Sequence, residues 1–228
     1  MLYRAYQNQA DLLSPARLAA QYLAKALWQE GTERTILRRM AAQFEVFSRM
    51  RLTHTRPDYG IHSVVSDGSE VAVHEEKTLV SPFGTLLHFR KNTDAVHPPV
   101  LLAAPLSGHF STLLRETVRT LLRDHDVYLT DWHNARDVPL WHGGFGLDDY
   151  TLQLVRFLEA VGPGVHMVAV CQPCVAALAA TALMAEDGNP ATPRSLTLMA
   201  GPVDCRINPT AVNTVSYTHL TLPTNREV

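Results

Sequence analysis

The hydrophobic period of the chain changes along its length, from helical spacing to strands and then to alternation of the two. Up to about Met50 apolar residues recur at helical spacing: Leu13, Leu18, Tyr22, Leu23 and Leu27, then Ile36, Leu37, Met40, Phe44 and Phe47, with Gly31 as a break. This predicts helices from about Tyr3 to Met50, with Arg34, Arg38 and Arg39 on a solvated face. Arg51 to Gly68 carries Pro57, Gly60 and Gly68 and reads as irregular. Val71 to Val80 and Thr85 to Lys91 then read as two strands joined by the turn Ser81-Pro82-Phe83-Gly84. Beyond them strands and helices alternate. Strands are expected at Val100–Ala104, Asp126–Trp132, His166–Val170 and Ser195–Ala200. Helices are expected at Ser111–Arg123 with Ser111 as N-cap, at Leu147–Val161 capped by Asp148 or Asp149, and from Val175 to about Glu186. A hairpin followed by such alternation predicts an α/β fold with a mostly parallel, doubly wound sheet. Ligands in these sheets bind at the carboxyl ends of the strands. Those ends carry Pro105-Leu-Ser-Gly-His109, Asp131-Trp-His-Asn134, Cys171 and Gly201-Pro-Val-Asp204.

The apolar run His166–Val170 stops at Cys171, and an Ala-rich helical stretch starts almost at once. A reactive residue on the sharp turn between a buried parallel strand and a helix is the nucleophile elbow of α/β-hydrolases, usually Gly-x-Ser-x-Gly. Here it reads Ala169-Val170-Cys171-Gln172-Pro173, with a thiol for the hydroxyl. The free N–H groups and positive dipole end of the helix favour a thiolate at that position. The same N–H groups can hold the oxyanion of an attacked ester carbonyl, Gln172 N–H first among them. A second donor is expected from the loop after the Val100–Ala104 strand, at Leu106 or Ser107. Ala169 is small enough for a tight turn, and Pro173 suits a first helical turn, where no N–H is needed.

Cys171 has other readings. It fits a buried structural cysteine. Cys171-Gln172-Pro173-Cys174 also has the spacing of a thioredoxin-like redox motif, although such motifs sit early in a small domain and several strand–helix units precede this one. Two cysteines at this spacing could be half of a zinc site, but Cys205 stands alone with no His or Cys at ligand spacing.

Composition narrows the class. The 228 residues suggest one domain with an appendage, and 46% hydrophobic against 18% charged residues allow a sizeable core. A net charge of −2 points to neither nucleic acid nor an anionic membrane as partner. Three cysteines, two of them close together, are no disulfide framework and fit a reducing compartment. The N-terminus has no apolar signal core, and no apolar run is long enough for a transmembrane segment. The expected location is cytoplasmic.

Several segments together resemble one family. Ala103-Ala-Pro-Leu-Ser-Gly-His-Phe110, Asp126-Val-Tyr-Leu-Thr-Asp-Trp-His-Asn-Ala-Arg-Asp-Val-Pro139, Gly146-Leu-Asp-Asp-Tyr150, His166-Met-Val-Ala-Val-Cys-Gln-Pro173 and Gly201-Pro-Val-Asp-Cys-Arg-Ile-Asn-Pro-Thr210 are similar to the intracellular polyhydroxyalkanoate (polyhydroxybutyrate) depolymerases. The resemblance runs from the N-terminal helices to about Thr214. It implies an α/β-hydrolase fold with an N-terminal helical extension and a cysteine nucleophile at Cys171. It further implies a polyester substrate at the surface of cytoplasmic storage granules, with no metal or organic cofactor. The related polyhydroxyalkanoate synthases share the elbow cysteine, the Tyr-Leu-x-Asp-Trp motif and Asp-Asp-Tyr, and imply acyl transfer from a coenzyme A thioester instead. A non-catalytic granule-associated protein on the same fold is a further alternative.

A cysteine nucleophile needs a histidine base and an acid, which follow it in α/β-hydrolase order. The only downstream histidine is His219, in a tail that reads as a translated sequencing adapter. The transposon-end sequence GTCTCTTATACACATCTGACGCTGCCGACG translates in one frame as Val-Ser-Tyr-Thr-His-Leu-Thr-Leu-Pro-Thr, which is Val215 to Thr224. His219 is therefore not expected to be the base. The sheet is expected to be incomplete at the C-terminus, with the family's catalytic Asp and His beyond Thr214. Asp204 is the one local candidate acid. His109, His133 and His142 lie near the active end but precede the nucleophile. The expected organisation is a helical segment over 1–65, a partial α/β-hydrolase core over 66–214 and a non-native tail over 215–228.

Overall fold

A computed structural model describes residues 8–29, 35–50, 56–106, 110–204, 206, 207, 209 and 211. The tail over 215–228 lies outside them. The chain divides into two compact units, Met1–Arg56 and Pro57–Val228.

In the first unit helices α1 (Ser14–Gln29) and α2 (Thr35–Arg49) pack on each other. Their buried apolar positions are alanines: Ala20, Ala24 and Ala41. Small side chains let two helix backbones approach closely, so the alanine stripe forms the seam. Leu13, Leu18, Tyr22, Leu23, Ile36 and Met40, the larger members of the helical pattern, are exposed. The seam is closed by Trp28 Nε1–H donating to Glu45 Oε2 at 3.2 Å and by the Arg17 guanidinium donating to the Met50 carbonyl at 2.9 Å.

The second unit is built on a seven-stranded sheet. Its strands are β1 (Ser63–Ser66), β2 (Ser69–Val80), β3 (Gly84–Lys91), β4 (Pro99–Ala103), β5 (Asp126–Trp132), β6 (His166–Val170) and β7 (Ser195–Met199). Their spatial order is β1-β2-β3-β5-β4-β6-β7. The first three strands form an antiparallel meander, β3 pairs antiparallel with β5, and β4, β5, β6 and β7 run parallel. The sheet is therefore mostly parallel, as the strand–helix alternation predicts.

β1 lies in a stretch expected to be irregular, and the 65/66 boundary falls inside it. Asp67 (φ +50°) and Gly68 (φ +76°) both adopt left-handed backbone. An Asp-Gly pair does this readily and closes a tight two-residue hairpin between β1 and β2. Gly68 was thus a turn residue rather than a mere breaker.

Helices cover both faces of the sheet. On one face Leu86, Leu101, Ala103, Met167 and Ala169 pack against α4 (Leu147–Val161) and α5 (Pro173–Glu186), through Leu154, Phe157, Leu158, Ala177, Ala180 and Met184. On the other, Leu87, Phe89, Leu102, Val127 and Leu129 pack against Leu114, Val118 and Leu122 around α3 (Arg115–Leu121). β4 lies inside the parallel part of the sheet, between β5 and β6, and Val100 to Ala103 are all buried, which is why this strand reads as unbroken apolar sequence rather than alternation. The expected helix Ser111–Arg123 begins instead as a 3-10 turn, Ser111–Leu114, capped by Phe110. Ser111 is not the N-cap, because its hydroxyl turns inward to Asp131. α4 is capped as expected in one respect: Asp149 Oδ2 accepts from the Gly146 N–H at 2.8 Å.

Candidate active site

β6 delivers Cys171 to the carboxyl edge of the sheet between β4 and β7. The Cys171 N–H donates to the Met199 carbonyl at 2.8 Å, continuing the β6–β7 ladder by one step. There the chain reverses. Cys171 has φ +67°, a left-handed conformation that is uncommon for a residue with a side chain. Gln172 is already helical at φ −52° and ψ −44°, and Pro173 starts α5 without needing an N–H. The turn holds the Cys171 thiol exposed to solvent. It also places the Gln172 N–H in the first turn of α5, where a helix has no acceptor of its own.

The elbow rests on a second thiol. Cys174 is fully buried, and its Sγ lies 3.3 Å from the Ala169 carbonyl oxygen and 3.6 Å from that of Met199. Gly201, just past β7, backs onto it. A Cβ at Gly201 would lie 2.1 Å from Cys174 Cβ, 2.3 Å from its Sγ and 2.9 Å from the Cys171 carbonyl oxygen. Only glycine allows β7 to leave the sheet this close to the elbow. The sequence hint was a glycine just past the expected strand Ser195–Ala200, where a glycine can mark close backbone approach. Among the described residues the Cys171–Cys174 spacing serves as an exposed thiol above a buried one, and no cluster of three or more His, Cys, Asp or Glu side chains is placed to hold a metal ion. Cys205 lies outside the described residues.

The β4 exit faces the elbow. Its position is set by Ala104, whose N–H donates to Thr130 Oγ1 at 2.9 Å and whose carbonyl accepts Trp132 Nε1–H at 2.8 Å. Two residues on, the Leu106 N–H donates to Gln172 Oε1 at 3.0 Å. The two expected oxyanion residues, Leu106 and Gln172, are thereby brought together by a side-chain bond that nothing in the spacing announces. Ser107 and His109 lie outside the described residues.

The other sequence candidates are placed as follows. His133 has both ring nitrogens in use. Nδ1–H donates to the Pro82 carbonyl at 3.0 Å, a group that can only accept, so Nε2 accepts from the Thr85 hydroxyl at 2.8 Å. It is a strut between β3 and β5. His142 is exposed on the 3-10 turn Leu140–His142. Both oxygens of Asp204 bond the Arg206 guanidinium at 2.8 Å, and Oδ1 also accepts the Arg206 N–H at 3.0 Å. These bonds hold its carboxyl below the usual carboxylate range. His219 lies outside the described residues.

Two features escaped the sequence pattern. Asp131, at the end of β5, accepts from the Ser111 hydroxyl, which in turn accepts from that of Tyr59. Beside it an aromatic cluster walls the sheet edge: Trp132 meets Tyr150 edge-on at 4.9 Å between ring centroids and Phe157 at 5.9 Å, and Phe83 stacks on Phe145 at 4.7 Å. Burial, and then the nearby Cys174 thiol, push the Tyr150 hydroxyl up, so it stays protonated. Gly84 leaves room for the indole, since a Cβ there would lie 2.8 Å from Trp132 Cε3. Aromatics scattered over three segments give no local signal of such convergence.

This strand order, with the exposed residue on a left-handed elbow after β6, is that of an α/β-hydrolase fold. No family model matches the sequence, and no curated protein matches it. Among solved structures the chain is similar to a candidate lipase of Acinetobacter baumannii AYE, at 16% identity and TM-score 0.47, over 64% of this chain and 48% of that one. It is similar to naproxen esterase (carboxylesterase NP) of Bacillus subtilis at 15% identity and TM-score 0.44, over 65% and 50%. An esterase of the fungus Rhizomucor miehei follows at 12% identity and TM-score 0.35, over 61% and 42%. The chain thus spans about half the length of these structures. Likeness at this level says nothing of what the chain acts on. Among the described residues no helix is long and apolar enough to cross a membrane.

Proposed function

We propose that this chain belongs to an ester hydrolase with Cys171 as nucleophile, and more narrowly to an intracellular polyhydroxyalkanoate depolymerase working at the surface of storage granules in the cytoplasm. The observation that carries the reading is the exposed Cys171 thiol on a left-handed elbow at the N-terminus of α5. A residue held in that conformation needs support from its surroundings, and such strain gathers at active sites. The polyester substrate is supported by the sequence resemblance around Ala103–Phe110, Asp126–Pro139 and His166–Pro173. In this reading the Cys171 thiolate attacks the ester carbonyl, and the carbonyl electron pair moves to oxygen. Gln172 N–H and a donor at Leu106 or Ser107 hold that oxygen. Collapse expels the alkoxide of the shortened polymer and leaves a hydroxyacyl thioester. A histidine base takes and returns protons, and water releases the hydroxy acid.

The test is acylation of Cys171. On incubation with amorphous polyhydroxybutyrate granules, or with p-nitrophenyl 3-hydroxybutyrate, the peptide containing Cys171 should gain one hydroxybutyryl group. Cys171→Ala should gain none. If Cys171 stays unmodified by either donor while iodoacetamide alkylates it, the hydrolase reading is wrong. Acylation by hydroxybutyryl-coenzyme A but not by granules would move the protein to the synthases.

A further inference from the structure

We propose that the side chain of Gln172 occupies the oxyanion hole of the resting protein and is exchanged for the substrate's carbonyl oxygen. The inference rests on Cys171 being the nucleophile. Gln172 supplies one oxyanion donor through its backbone N–H. Its side chain reaches across the mouth of the site and accepts, through Oε1, the N–H of Leu106 at 3.0 Å. Leu106 is one of the two positions from which the second donor is expected. An amide carbonyl oxygen therefore sits on the donor that an ester carbonyl would use.

The surrounding geometry makes this an exchange rather than a loop rearrangement. Ala104 and Pro105 are buried, and Ala104 is bonded at both its N–H and its carbonyl to β5. The chain leading to Leu106 is held whether or not Gln172 is bound. The side chain of Gln172 is exposed and springs from the N-cap residue of α5, so it can rotate away without disturbing the helix. One sp² oxygen replaces another, and the Leu106 N–H stays paired throughout. The exchange also favours the transition state. A neutral ester oxygen is a weaker acceptor than the amide oxygen it replaces, whereas the developing oxyanion accepts a much stronger, charge-assisted bond.

Gln172→Ala and Gln172→Leu remove the competing oxygen and keep the backbone N–H. In the full chain, the rate of Cys171 acylation by p-nitrophenyl butyrate is followed as p-nitrophenolate release and confirmed by mass. In this step Sγ forms the bond to the acyl carbon and p-nitrophenolate leaves with the electron pair. Alkylation by iodoacetamide is measured beside it, because displacement of iodide builds no oxyanion. Both variants should acylate about fivefold faster than the parent, the weight of one neutral hydrogen bond, with alkylation unchanged. Acylation that is unchanged or slower in both variants would show that the Gln172 side chain braces the loop, and the proposal would fall. Equal acceleration of acylation and alkylation would also sink it, since the side chain would then merely shield the thiol. If Cys171 is alkylated but never acylated, even in the parent, the nucleophile reading fails and takes this inference with it.

Discussion

At the residue scale the elbow is a local cost carried by the rest of the fold. Cys171 sits at φ +67° and Ala200, across from it, at φ +54°. Each is a side-chain-bearing residue in a conformation that costs roughly 1–2 kcal/mol relative to glycine. The contacts that hold Cys171 there are its N–H on the Met199 carbonyl, the Cys174 thiol beneath and the closeness of Gly201. A prediction follows from the backbone alone. Cys171→Gly should be more stable than Cys171→Ala by about 1 kcal/mol in urea unfolding, because only the alanine keeps the Cβ that the left-handed turn opposes. Equal midpoints for the two variants would mean that Cys171 is not strained in solution. The elbow residues themselves were legible in the sequence, because an apolar strand, a polar interruption and an alanine-rich helix are all local signals. The Gln172–Leu106 bond was not, since its partners stand far apart in the chain and meet only through the packing of β4 beside β6.

At the scale of elements, Lys91 is the most consequential polar residue away from the site. It ends β3 and is buried, with its ammonium donating to the Leu122 carbonyl at 2.8 Å and to Ser66 Oγ at 3.2 Å. Ser66 passes the connection on to the Arg123 carbonyl at 2.8 Å. β1, β3 and the end of α3 are thus joined by one cation. Burial holds the Lys91 ammonium below the usual lysine range, against the pull of Asp126, Asp67 and Asp124. The sign follows from linkage. An unfolded chain binds that proton more tightly than the folded one, so the lysine's penalty shrinks as pH rises from the folded value toward the ordinary 10.5. Measured by urea unfolding, the stability of the parent relative to Lys91→Met should therefore increase as pH is raised toward that unfolded value. A gap that stays flat or narrows would show that Lys91 is solvated in the native protein. The same corner holds the clearest element the pattern concealed. β1 is only four residues long, and its alternation, Val64 and Ser66 in with Ser63 and Val65 out, places a serine inward and a valine outward. Polarity alone hides such a strand, and the Asp67-Gly68 turn is the signal that reveals it.

At the scale of the whole molecule, both buried apolar clusters lie entirely within Pro57–Val228. The buried seam of the first unit is a short row of alanines. The sheet unit therefore contains the packing on which its own stability depends. Residues 57–228 expressed without 1–56 should still unfold in one cooperative transition, seen by circular dichroism in urea, with Cys174 protected from iodoacetamide until the transition. A gradual loss of signal, or early labelling of Cys174, would show that the helical unit is needed to complete the core. Placement of the site is also a property of the whole sheet. The elbow follows β6, the β4 exit lies on one side of it and the β7 exit on the other, so the groups around Cys171 come from segments as far apart in the chain as Ala104 and Gly201.

The sequence by itself determined where β2 to β7 and the helices α4 and α5 fall, that the sheet is mostly parallel and helix-covered, and that a thiol stands at a strand-to-helix turn. These are consequences of hydrophobic period and local chain geometry, which neighbouring residues carry. Tertiary structure decided what neighbours cannot. It set the order in which β5 lies between β3 and β4. It buried alanines rather than leucines between α1 and α2, because close helix contact favours small side chains over apolar area. It committed both nitrogens of His133 and both oxygens of Asp204 to structural bonds. It also brought the Gln172 side chain onto the Leu106 N–H. Each of these depends on distance through space, and hydrogen-bond partners are chosen by that distance, not by separation along the chain.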